Sequence, residues 1–393
     1  MQCTFFSDKH WNQLYPFTFP HQKGHLRWGA FTLEQLWKEI AIDVSSSQQH
    51  MNAQNVQQLM ARGTVNDRWV PDLFAWAALS SLKSGQSLTS GEVVLFKPSE
   101  PDTRLDSLEY SEAHLIAHPT DFFIHCGKTL KSQTSWIQTH WKAEPWNAAL
   151  HGTHTRVIGD ASQVFMAPGA RVIASTLNTE DGPIFIGPNA EIQEGSHIRG
   201  PFLLDEKSVV KMGSRVYGPT SIGPHCRVGG EVSNSVLLGY SNKGHDGFLG
   251  NSVIGNWCNL GADSNTSNLK NNYSDVRLWD APSSSMQPTG LKFCGLIMGD
   301  HSKCAINTMF NTGTIVGNGC VLMGHAFVPK HVPSFSWGGD ERWSEHQFER
   351  FIDTAAIVME RRQHTWKDED TKRWLLEFQN SSLLRKESSD TNA

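Results

Sequence analysis

No stretch of about 18 uninterrupted apolar residues occurs in the 393-residue chain, so no membrane-spanning helix is expected. The opening run MQCTFFSDKHWNQLYPFTF lacks the basic-then-apolar order of a secretory leader, and a cytoplasmic location is the expectation. The seven cysteines (Cys3, Cys126, Cys226, Cys258, Cys294, Cys304, Cys320) include no C-x-x-C pair. They are therefore expected as reduced, buried thiols and not as zinc ligands. No G-x-x-x-x-G-K-(S/T) and no H-E-x-x-H occurs, so neither a P-loop nor a zincin site is expected, and no metal. The net charge of −5 leaves no surplus for a broad basic face, so neither nucleic acid nor a membrane is expected as partner. The hydrophobic share is only 38%, while Gly (33) and Trp (14) are plentiful, a balance that fits a turn-rich architecture better than long helices.

What the chain does have is a six-residue period. From Ile186, steps of six reach Ile192, Ile198, Leu204, Val210, Val216, Ile222 and Val228, all aliphatic. With roughly one aliphatic residue in four, eight such hits arise by chance about once in tens of thousands of trials. The phase slips after Val228, resumes at Ile254 and Leu260, slips again, and returns at Met298, Cys304, Phe310, Val316, Leu322 and Val328. Such a period is neither helical nor a plain strand alternation. It predicts short strands joined by tight turns, three hexads per triangular coil, stacked as a parallel β-helix. Each slip is expected to eject a loop, one near Gly239–Gly247 and a longer one from about Asp263 to Leu291 that carries no core. Loops on a rigid coil are where function concentrates.

Residues 1–145 mix helical stretches, such as Phe31–Ile40 with Thr32 as cap, with short strands such as Glu92–Phe96, and read as a small α/β domain. The coil is expected over 146–338. Residues 339–393 read as C-terminal helices, the one around Phe348–Met359 packing its apolar face on the coil or a neighbouring subunit, with a disordered end at SSDTNA. Trp337 and Trp343 are expected as packing anchors.

The sharpest candidate is His245, flanked by glycines in GYSNKGHDG. An imidazole titrating near neutrality suits a general base that takes an ammonium proton during acyl transfer. The run SNKGHDGFLGNSVIGNWCNLGADSNTSN, Ser241 to Asn268, resembles the bifunctional N-acetylglucosamine-1-phosphate uridyltransferase/glucosamine-1-phosphate acetyltransferase family. That resemblance implies a left-handed coil, an exception to the right-handed crossover rule, and a homotrimer with sites at subunit boundaries. It implies His245 as catalytic base, Asn259 as a sugar contact, Asn268 near acetyl-CoA and substrate, and Arg215 on the sugar phosphate. Phe248 stands where the family has Tyr, and Ser233 near where it has a phosphate-binding Lys. Lys243 is the expected substitute, a point charge beside an anionic substrate. Asn259 equally fits a turn-corner Asn.

The N-terminal region resembles a divergent branch of the same group, with a shortened, degenerate nucleotidyltransferase-like domain. The glycine-rich phosphate loop of sugar nucleotidyltransferases is replaced by Phe6-Ser7-Asp8-Lys9-His10. Thr18, Lys23 and Arg27 are its remaining nucleotide-binding candidates. The implied activity is acetyl-CoA-dependent N-acetylation of an amino-sugar 1-phosphate. The alternatives are sugar-1-phosphate nucleotidyl (uridylyl or thymidylyl) transfer, with Mg²⁺ only if the N-terminal domain is active, and a non-catalytic trimeric scaffold.

Overall fold

The computed structural model describes residues 3–18, 23–47, 61–151, 154–340 and 342–385. Two compact units divide the chain: Met1–Leu14 with His21–His118, and Tyr15–Pro20 with Pro119–Ala393. The helices Asp121–Ile124, Cys126–Ser132 and Thr134–Trp141 therefore belong to the second unit, although the sequence places them before the 145 boundary.

The first unit is α/β. Its sheet pairs Phe5–Phe6 in parallel with Gly63–Asn66, then adds Val93–Pro98, Leu88–Ser90 and Leu108–Glu109. The helix Leu33–Ser47 begins where Thr32 predicts: Gln35 N–H donates to Thr32 Oγ1 (3.2 Å) and Thr32 N–H to Gln35 Oε1 (2.8 Å), a reciprocal box. Trp37 meets Trp69 and Trp76 edge-to-face at 4.9 and 5.7 Å, so part of the tryptophan richness is spent on this small core.

The second unit is a parallel β-helix of the left-handed class, with the helices Phe348–Glu360 and Asp368–Asn380 after it. One face stacks strands from Val164–Met166 to His331–Val332, a second from Arg171–Val172 to Ser336–Gly339, and a third from Arg156–Ile158 to Phe248–Gly250, continued by Asn265–Thr266, Met309–Phe310 and Phe327–Val328. Every aliphatic of the unbroken hexad run, Ile186 to Val228, is buried in one interior cluster, as are Ile254, Leu260, Met298, Cys304, Phe310, Val316 and Leu322. Buried serines tie coil to coil. Ser208 Oγ donates to Gly223 O (2.7 Å) and accepts from Cys226 N (2.8 Å), and Ser241 repeats this with Gly255 (2.7 Å) and Cys258 (2.8 Å). All seven cysteines are buried and in no disulfide.

The slips have two different causes. Ile186, Leu204 and Ile222 stack with eighteen-residue spacing, but Ile222 pairs with Leu237 fifteen residues on, and Leu237 with Ile254 after seventeen. The first slip is thus a shortened coil and not an ejected loop. Gly239 and Asn242–Lys243 lie in strands, with corners at Tyr240–Ser241 and Gly244–Gly247. The second slip is an insertion. After Asn265–Thr266 the chain leaves the coil, forms the hairpin Arg277–Asp280/Ser285–Pro288, and rejoins at Leu296–Met298. That excursion carries some core, since Val276 and Leu278 are buried.

One corner of the coil is left-handed at residues other than glycine: Asn189, Lys207, His225, Tyr240, Trp257 and His301 all have positive φ. Four of their rings form a ladder, His225 on Tyr240 (4.9 Å), Tyr240 on Trp257 (4.2 Å) and Trp257 on His301 (6.0 Å). The C-terminal helices Phe348–Glu360 and Asp368–Asn380 dock beside it. Phe351 and Trp374 meet His301 at 5.7 and 5.2 Å, and Phe351 meets Phe335 at 5.0 Å. The apolar face of the first helix therefore packs on the coil. Trp343 packs partly against the coil core, whereas Trp337 is 38% exposed and lies on His346 at 4.9 Å. The closing SSDTNA lies outside the described residues. Among the described residues no helix is long and apolar enough to cross a membrane.

Candidate functional site

His245 and Asp246 are exposed on the corner between the strands Asn242–Lys243 and Phe248–Gly250. Glycines make that corner tight. A Cβ on Gly230 (φ +74°) would lie 2.8 Å from Asp246 Cα, and one on Gly247 (φ +110°) would lie 2.2 Å from Ser264 O. Both positions therefore need glycine for conformation and for space. The imidazole consequently stands outside the prism on a backbone gripped from the coils on either side.

Lys243 corrects an expectation. It is 2% exposed and occupies an inward position, in register with Val228, so its charge is not available beside a substrate. Its Nζ donates to Gly229 O (3.0 Å), His245 O (2.6 Å) and Asp246 O (3.2 Å). Burial lowers its pKa to about 8, with Asp246 and Asp263 opposing the shift.

Around the corner, Phe248 N–H donates to Asn265 Oδ1 (2.8 Å), and Thr266 Oγ1 accepts from Gly250 N (3.1 Å) and donates to Phe248 O (3.2 Å). The half-buried Phe248 ring covers Gly250, where a Cβ would lie 2.4 Å from Cζ and 2.7 Å from Asn268 Nδ2. Asn268 Nδ2 donates to Asn251 Oδ1 (2.8 Å). Arg215 is on the same face, in the register Arg215–Glu231–Phe248, with its Nε 3.5 Å from Glu231 Oε2. His245, Phe248, Asn268 and Arg215 thus share one face and the corner that leads into it. Asn259 is exposed on the adjoining face, between Asn242 and Lys303. Asn251, Asn265 and Thr266, which hold this patch together, were not singled out from sequence. Their only signal there is the Asn-rich tract itself.

The N-terminal candidates are divided between the two units. Thr18 is buried and belongs to the unit that carries the coil, whereas Lys23 and Arg27 belong to the other. Lys23 is exposed, and Arg27 Nη2 donates to Ala30 O (2.6 Å), a bond within its own turn. At the carboxyl ends of the parallel strands Phe5–Phe6 and Gly63–Asn66, where open α/β sheets bind ligands, Asp8, Asn66, Arg68 and Ser7 are hydrogen-bonded among themselves and to Asp67 Oδ2, while the buried Asp67 Oδ1 has no hydrogen-bond partner among the described residues. Burial works against ionised Asp8, but Arg68 (2.6 and 3.1 Å) and Asn66 (2.9 Å) hold its carboxyl below the ordinary value. Burial pushes Asp67 up to about 7, and Ser7 Oγ donates to it at 2.6 Å. Mg²⁺ requires accessible carboxylate oxygens in octahedral geometry. With Asp8 bound by arginine and Asp67 sealed, these residues do not fit it. A cavity of about 240 Å³ in this unit, lined by Arg62, Lys83, Gln86 and Phe96 among others, touches none of the candidate residues.

Residues 3–142 match the sugar nucleotidyl transferase family. The chain is 28% identical over 104 residues to the bifunctional protein GlmU of Methanocaldococcus jannaschii, covering 26% of this chain and 25% of that protein. It is 26% identical over 181 residues to the bifunctional protein GlmU of Synechococcus elongatus, covering 44% and 36%. Among solved structures, the polySia-specific acetyltransferase NeuO matches at 14% identity and a TM-score of 0.26, covering 49% of this chain and 82% of that one. The matches thus span about a quarter to a third of the length of these GlmU relatives. Within that span the chain is similar to a GlmU-like family, in keeping with the resemblance carried by the His245 run.

Proposed function

We propose that this GlmU-like chain is an acyltransferase that N-acetylates an amino-sugar phosphate from acetyl-CoA on the His245 face of its coil. The observation that carries this reading is an exposed imidazole on a glycine-gripped corner, sharing one face with Phe248, Asn268 and the exposed Arg215. As the sugar amine attacks the thioester carbonyl, His245 accepts the amine proton. The C–N bond forms, the C–S bond breaks, and coenzyme A leaves as the thiolate. Arg215 holds the phosphate, sharing its guanidinium with Glu231, and Asn259 and Asn268 contact sugar and donor. Holding both substrates on one rigid face removes much of the entropic cost of their encounter. Exposed Met212, Tyr217, Ile306, Met323 and Phe327 along the coil favour a homotrimer in which neighbouring copies complete the cleft.

The test is thiol release from acetyl-CoA by the full chain in the presence of glucosamine 1-phosphate. His245→Ala is expected to lower that rate by about 10²–10⁴-fold. An unchanged rate removes His245 from the mechanism.

A further inference from the structure

We propose that Lys243 is a positioning residue for His245, an interior ammonium that holds the catalytic corner in place from inside the coil. The inference rests on the reading of His245 as the base.

Its warrant is a contrast between coils. In the register His197–Arg215–Glu231–Phe248, the residues just before these four occupy one corner slot: Ser196, Ser214, Gly230 and Gly247. Where the slot holds a hydroxyl, that hydroxyl satisfies an inward corner carbonyl. Ser196 and Ser214 both donate to Lys211 O, at 3.0 and 2.6 Å. Further along, Ser264 donates to Gly261 O (2.7 Å) and Thr308 to Ala305 O (2.7 Å). The two coils with glycine in the slot have no such hydroxyl. Their inward carbonyls, Gly229 O, His245 O and Asp246 O, are the three acceptors of Lys243 Nζ. One ammonium has three hydrogens, and all three are used.

Packing alone does not ask for a lysine here. Leu237, Lys243 and Leu249 follow one another at six-residue steps, and both leucines point into the apolar cluster. A charge buried there is costly unless fully hydrogen-bonded, and an aliphatic residue would leave three carbonyls facing an apolar interior. The glycines open room for the close approach of neighbouring backbone at Gly230 and Gly247. Where those glycines carry no hydroxyl, the lysine supplies interior hydrogen bonds of its own, at Gly229 O, His245 O and Asp246 O. The result is a corner freed of side-chain bulk yet held at the carbonyl of the catalytic residue itself.

The experiment uses Lys243→Met in the full chain, with two readouts. Backbone amide exchange over residues 244–247 is expected to accelerate at least tenfold, while the corners at Gly195 and Gly213 stay unchanged. In acetyl transfer, kcat is expected to fall at least tenfold with the sugar-phosphate KM within about twofold, because the base is misplaced and the binding face is not. Unchanged exchange at 244–247 overturns the proposal. Faster exchange with unchanged kcat also overturns it, and leaves His245 as base intact. Full activity in His245→Ala instead overturns the base reading, and the exchange result is then independent of it. Should Lys243→Met fail to fold, the unmodified chain decides: one lysine ammonium with slowly exchanging hydrogens is expected by heteronuclear NMR, and free exchange at every lysine overturns the proposal.

Discussion

Two stretches of the same coil differ in kind. From Ile184 to Val228 the repeat is regular: eighteen residues per coil, aliphatic interior positions, and serine hydroxyls at the Ser196 and Ser214 corners. From Gly229 to Asn268 the coils shorten, glycine takes the corner slot at Gly230 and Gly247, a lysine enters the core, and an Asn-Thr network replaces plain β-bridges on the outer face. The regular stretch is built for packing. The irregular stretch departs from each local rule at once, and its departures compensate one another around His245. The repeat is kept where the chain only packs and broken where an imidazole is displayed, and those breaks coincide with the site proposed above.

That comparison predicts a crossover between two variants. His245→Ala should remove most of the acetyl-transfer rate and leave the melting temperature unchanged, because the side chain is exposed. Ile222→Ala should do the reverse. Ile222 is fully buried, and its truncation is expected to cost about 2–5 kcal/mol by denaturant unfolding, with the rate per folded molecule retained. If Ile222→Ala lowers kcat as far as His245→Ala does, the division of labour between the stretches is wrong.

A smaller effect sharpens the contrast through pH. The folded state lowers the Lys243 pKa from 10.5 to about 8, so it disfavours the charged form. The penalty is present in full below pH 8 and fades as pH rises toward the unfolded value near 10.5. The unmodified chain should therefore gain stability relative to Lys243→Met as pH is raised from 8 to 10.5, measured by urea unfolding of both. The same experiment with Val210→Ala, an aliphatic in the equivalent face of the regular stretch, should show a pH-independent difference. A constant gap for Lys243→Met means that the amine titrates alike in the folded and unfolded chains.

Much of the coil was legible because a six-residue period has one physical solution, and each in-phase aliphatic has the same inward environment. Lys243 was not legible. It stands in phase with Leu237 and Leu249, but a search for aliphatics passes over a lysine, and the shortened step from Val228 through Val232 to Leu237 hides the phase. The slip was therefore read as a loop, and the charge as a surface charge. The exposure of His245 was legible, because glycines flank it on both sides. The hydrogen bonds of Asn251, Asn265, Thr266 and Asn268 were not, although all four lie within the Ser241–Asn268 run, since they form only when two coils stack. In the first unit, the helix cap at Thr32 was visible, whereas the pairing of Asp8 with Arg68, 60 residues apart in sequence, was not.

The smallest predicted effect concerns the one position where the resemblance and the chain disagree by a single oxygen. Phe248 lies with Cζ 2.4 Å from the position a Gly250 Cβ would take, and Asn268 Nδ2 lies 2.7 Å from that same point. Phe248 Cζ and the Asn268 carboxamide thus both border Gly250, and the ring is half-buried. Phe248→Tyr should fold as stably as the parent and strengthen binding of the amino-sugar phosphate by one hydrogen bond, about 0.5–1.5 kcal/mol, or up to roughly tenfold in KM. Titration of KM in the Tyr variant checks this directly. If KM is unchanged while the amide exchange of Asn251 and Asn268 slows, the new hydroxyl is satisfied within the protein, and this face meets its substrate through groups other than Phe248. If the variant is destabilised, the ring tip is packed too tightly for substrate to reach, and the binding surface begins at Arg215 and the His245 corner instead.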